Sequence, residues 1–216
     1  MRTLMSVTFG VCLLAVSTWS VGLAGQTNMV QTHIGHVMDS FNGTPMNMGL
    51  LPTAMAEAKT AAQHAGLAAK STTLAMMQTH AGHVINAIDP TIVDKGPGLG
   101  YGLKKAALGV ATHANLAGNA PEANAGVKMH AMHVNTAATN AAAMADEVVA
   151  LAQKIRASTS LEEAQKLAAE MQTKAEEITS GVDADKNGTI TWNKPEGGLM
   201  QAQQHMGLMK TAAGVS

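Results

Sequence analysis

The sequence predicts an all-α protein of repeated helical hairpins packed as a bundle, closed by a C-terminal helix–loop–helix. Three observations lead there. Aromatic residues make up 2% of the 216 residues, β-branched residues are sparse, and Ala, Gly and Met dominate, a composition that disfavours a β-sandwich or barrel. A unit of helical-hairpin length recurs along the chain. Ser160-Leu161-Glu162-Glu163 has the form of a capping box opening a charged, strongly helix-forming segment.

In chain order, the pattern predicts helices over 27–41, 52–69, 72–88, 101–117, 121–156, 160–179 and 196–213. Asn42-Gly43-Thr44-Pro45 reads as a turn, and Asp89-Pro90 with Gly96-Pro97-Gly98 as a longer loop. Asn119-Ala120-Pro121 reads as a helix start, with Pro in the first turn. Composition shifts near 155–160. The expected organisation is a signal peptide over 1–24, a His- and Met-rich helical repeat over 25–155, and a helix–loop–helix over 156–216.

The leader expectation rests on Arg2, the apolar run Leu4 to Val21, and the small-x-small site Gly22-Leu23-Ala24. The only cysteine, Cys12, falls inside it. The mature chain then has no thiolate for zinc, an iron–sulfur cluster or a covalently held haem. A periplasmic or secreted protein follows, with no membrane association after cleavage. Loss of Arg2 takes the net charge from −1 to −2, and no basic field for nucleic acid exists.

The repeat is anchored by histidine. Met29-Val30-Gln31-Thr32-His33-Ile34-Gly35-His36-Val37 matches Met76-Met77-Gln78-Thr79-His80-Ala81-Gly82-His83-Val84, and a third copy is Val127-Lys128-Met129-His130-Ala131-Met132-His133-Val134. A lone histidine follows in two copies, in Gln63-His64-Ala65-Gly66-Leu67 and Thr112-His113-Ala114-Asn115-Leu116. In the third copy, Ala168-Ala169-Glu170-Met171 is aligned with that place. His205 lies outside the repeat and reads as a surface residue.

Residues at i and i+3 share one helix face. His33 with His36, His80 with His83, and His130 with His133 are therefore paired imidazoles, suited to zinc, copper, nickel or iron. A pair needs a third ligand from a facing helix, and His64 and His113 are placed to supply it. Neighbouring Met38, Met46, Met48, Met76, Met77, Met129 and Met132 add soft donors that favour copper. Carboxylates are too scarce here for a di-iron centre.

The leading expectation is an exported protein that sequesters or carries copper, or zinc, with a redox or metal-transfer protein as partner. Two alternatives stand beside it. One is a non-covalent haem b protein for electron transfer with axial histidines, Gly35 and Gly82 giving the macrocycle room. The other is a structural helical repeat that binds a partner protein. No nucleophile–base–acid set can be assembled, so no enzymatic activity is expected.

Asp183-Ala184-Asp185-Lys186-Asn187-Gly188-Thr189-Ile190 carries oxygen ligands at alternate positions, then a glycine at the bend. It resembles an EF-hand calcium loop, flanked by helices over about 160–213. The resemblance implies calcium ligation by Asp183, Asp185, Asn187 and the Thr189 carbonyl. Position 12 is Lys194 rather than glutamate, and Glu196 replaces it only if the loop is enlarged. The implied site is weak and structural.

Overall fold

The computed structural model describes residues 28–215. The expected leader and Cys12 lie outside these residues. Among the described residues there are seven α-helices and no strand: α1 (Met29–Met38), α2 (Leu50–Lys70), α3 (Leu74–Ile88), α4 (Leu103–Gly118), α5 (Ala125–Ala157), α6 (Leu161–Ser180) and α7 (Leu199–Ala212). The all-helical bundle is as the sequence predicts, with ends displaced by a few residues.

The helix starts have local causes. Asn28, Thr73, Asn124 and Ser160 each accept the backbone N–H of the third residue onward, capping α1, α3, α5 and α6. Asn124 rather than Pro121 opens α5, because its Oδ1 takes the Val127 N–H at 3.0 Å. Pro121 and Glu122 lie in the preceding turn, and Glu122 Oε1 accepts the Met29 and Val30 N–H groups. A carboxylate there suits the positive end of α1. The capping box at Ser160 is only half formed. Ser160 Oγ takes the Glu163 N–H at 3.3 Å, but Glu163 Oε2 accepts from Ser158 Oγ at 3.2 Å.

The 33 residues of α5 span about 50 Å at 1.5 Å per residue. This helix packs against α3, α4, α6 and α7, and α2 packs against α3, α4 and α6. One core runs through the molecule, built mainly of Ala with Ile34, Leu50, Leu51, Ile85, Ile88, Leu103, Ile155, Ile178 and Leu199 fully buried. Core residues come from both sides of position 155, with Ala164, Ala168 and Met171 of α6 and Met206 and Met209 of α7 among them. Small side chains let the helices approach closely. A Cβ on Gly126 would lie 2.9 Å from the Ala212 Cβ, where α5 meets α7.

Between α3 and α4 the chain is held by two polar side chains. Glu57 is fully buried and accepts the N–H groups of Leu99 (3.0 Å), Tyr101 (3.3 Å) and Gly102 (3.0 Å). Asn86 donates to Val93 O at 2.9 Å and accepts from the Gly98 N–H at 3.0 Å. A buried carboxylate needs such partners, and these backbone donors take the place of a cation.

Candidate metal centres

All nine histidines fall into three groups of three: His33, His36 and His113; His64, His80 and His83; His130, His133 and His205. Each group unites a His-x-x-His helix with one imidazole from an antiparallel neighbour. In the second, α2 and α3 form a hairpin across Ser71–Thr73. In the first, the start of α1 meets Glu122, just beyond the end of α4. In the third, Asn124 at the start of α5 donates to Ala212 O at the end of α7, at 2.7 Å. One arrangement is thus built three times from helices of different sequence order.

The same ring nitrogen converges throughout. His113 Nδ1 lies 2.9 Å from His33 Nδ1 and 3.4 Å from His36 Nδ1. His64 Nδ1 lies 3.1 Å from His80 Nδ1 and 3.3 Å from His83 Nδ1. His205 Nδ1 lies 3.1 Å from His130 Nδ1 and 3.3 Å from His133 Nδ1. Tetrahedral ligation with Zn–N of 2.0–2.1 Å places ligand nitrogens about 3.3 Å apart. The donor set therefore fits a transition-metal ion bound by three imidazoles.

The electrostatics favour neutral imidazoles. Burial, and then the two facing histidines, pushes His113 and His205 down to about 4. His64 is lowered by burial and then by His83 and His80. Burial followed by the neighbouring histidine lowers His33, His80 and His133. These rings carry free lone pairs at neutral pH, the form a metal requires.

His64 and His113 each join a His-x-x-His pair, in the place the sequence suggests for a third ligand. His205 is not the simple surface residue expected of it, because α7 runs antiparallel to α5 and turns this side chain onto His130 and His133. Met171, aligned in its stead, is fully buried in the core. A local signal does identify His205: Gln204-His205-Met206-Gly207-Leu208 repeats the pattern Gln63-His64-Ala65-Gly66-Leu67. The methionines divide. Met77 is fully buried, whereas Met76, Met129 and Met132 are about half exposed on the ligand helices.

The C-terminal loop holds a second kind of cluster. Oxygens of Asp183, Asp185 and Glu196 lie within 4.8 Å of one another and could hold a metal ion. Asp183 accepts the N–H groups of Asn187 (3.0 Å) and Gly188 (2.8 Å), and Asn187 Oδ1 accepts the Thr189 N–H at 2.8 Å. Gly188 takes the left-handed φ of +84° that the bend requires. Glu196 accepts from Thr191 N (3.0 Å) and Oγ1 (2.7 Å), and these bonds hold its carboxyl below the usual range. Glu196, and not Lys194, joins the two aspartates in this cluster.

No known protein family matches the sequence, and no curated protein or solved structure is significantly similar to it. No described helix is long and apolar enough to cross a membrane.

Proposed function

We propose that this is an exported protein that sequesters or carries a transition metal, copper or zinc, in three tri-histidine centres. The observation that carries this reading is the threefold convergence of Nδ1 atoms, each lone nitrogen 2.9–3.4 Å from its two partners. A protein using histidine only for packing has no reason to gather all nine into such sets. Imidazole donors suit copper and zinc, and the half-exposed Met76, Met129 and Met132 add soft sulfur nearby, which favours Cu(I). Three imidazoles leave a tetrahedral ion one ligand short, which supports transfer to a partner protein.

The geometry favours a bare ion over haem. Axial ligands approach iron from opposite faces of a macrocycle, whereas these nitrogens meet on one point. The oxygen-lined loop supports a separate, hard cation such as calcium, in a structural role and with the millimolar affinity of extracellular modules. Separation of hard and soft ions between oxygen and nitrogen sites follows from ligand chemistry.

Equilibrium dialysis tests the reading. Metal-free protein is dialysed against zinc, and anaerobically against Cu(I), and bound metal is measured. Three equivalents per chain are expected, falling to two in His80→Ala/His83→Ala. Binding of less than one equivalent, or unchanged binding in that variant, overturns it.

A further inference from the structure

The three centres share a donor set but not their surroundings. Three aromatic residues occur among the described residues, Phe41, Tyr101 and Trp192, and two of them lie against histidine groups. Phe41 packs edge-on at the first centre, 5.5 Å from His36 and 5.1 Å from His113 between ring centroids. At the third centre, Trp192 stacks flat on His133, at 3.8 Å and 16°, and stands edge-on to His205 at 6.4 Å. The second centre has only its own imidazoles as aromatic neighbours among the described residues.

The helices that carry the first two pairs also differ in the charge beside them. Gly35 and Gly82 occupy equivalent places, each just before the second histidine of its pair. A Cβ built on Gly35 would lie 3.7 Å from Asp39 Oδ2, a carboxylate. A Cβ built on Gly82 would lie 3.9 Å from Arg156 Nε, a guanidinium. Asp39 therefore lies beside the helix that carries the first pair, and Arg156 beside the helix that carries the second.

Resting on the metal-centre reading, we propose that the second centre, His64 with His80 and His83, is the exchange site, through which metal passes to or from an anionic ligand. The first and third are holding sites. A bound cation is attracted by Asp39 at the first. At the third, the indole stack strengthens once His133 ligates a cation and becomes electron-poor. Both aromatic side chains also cover part of their histidine groups. The second centre lacks these restraints. Arg156 beside α3 makes the local field less favourable to a bound cation and draws an anionic donor towards this centre.

Release kinetics test this. Purified protein is loaded with zinc to three equivalents and challenged with excess of an anionic colorimetric chelator, 4-(2-pyridylazo)resorcinol. One equivalent should leave at least tenfold faster than the other two. His80→Ala/His83→Ala should abolish the fast phase and keep two slow equivalents. Arg156→Gln, at an exposed position, should slow the fast phase severalfold and reduce its sensitivity to salt. Trp192→Leu should move one slow equivalent towards the fast rate. Uniform release of all three equivalents, or a fast phase that survives His80→Ala/His83→Ala, overturns the proposal while leaving the centres themselves in place. Failure to load zinc at all overturns the metal-centre reading beneath it.

Discussion

His205→Ala separates a ligand from a surface histidine. Helix α7 is seated on the core by Leu199, Ala202, Met206 and Met209, all fully buried. His205 is not one of these buried residues, and alanine is the stronger helix former. The metal-free variant should therefore unfold within about 0.5 kcal/mol of the parent. Metal changes this. A ligand at a hundred times its dissociation constant contributes about 2.7 kcal/mol of stability per site. Three equivalent centres contribute about 8 kcal/mol on that basis, and loss of one removes about a third. For a domain of this size 1 kcal/mol shifts Tm by about 2–4 °C, so the variant should forfeit about 5–11 °C of the zinc-dependent rise. Thermal unfolding of both proteins, with and without zinc, gives the difference directly. A variant that retains the full zinc-dependent rise refutes ligation by His205.

Other perturbations test other parts of the structure. Glu57→Ala leaves three backbone N–H groups without their acceptor and should cost about 3 kcal/mol or more in chemical denaturation, with the transition of the metal-free protein shifted accordingly. Between the unfolded histidine value of 6.5 and about 4, His113 and His205 bind fewer protons in the folded than in the unfolded chain. Metal-free stability should therefore fall as pH drops through that window, and denaturant midpoints measured from pH 7 to 4 should show it. Zinc should leave as protons reach these rings, with most release below pH 6 in a dialysis series. Asp183→Ala with Asp185→Ala should abolish calcium binding in isothermal titration and leave zinc at the first and second centres unchanged.

Most of the fold is legible in the sequence because local rules govern it. The capping Ser160, the turn at Asn42-Gly43 and the apolar spacing of Ala and Leu all act within a few residues. Pro121 misleads for a local reason too, since Asn124 competes for the same helix start and wins through its bond to Val127. The paired histidines are equally plain, because i and i+3 fix their common face. Which partner completes which pair is not. His33 and His113 are 80 residues apart, and only the packing of α1 on α4 brings them together. His205 escapes the repeat because α6 and the loop 181–198 intervene before the chain returns antiparallel to α5. Glu57 reads as an ordinary helix carboxylate until the loop 99–102 folds over it. Trp192 has no pattern that would assign it to His133, because a stacking contact leaves no periodic mark.

Crystals of the zinc-loaded protein, measured at the zinc absorption edge, test the central claim most directly. The account predicts three anomalous peaks per chain, each 2.0–2.1 Å from three Nδ1 atoms, at His33, His36 and His113, at His64, His80 and His83, and at His130, His133 and His205. Peaks elsewhere, or bound by Nε2 with the Nδ1 atoms turned away, would contradict it.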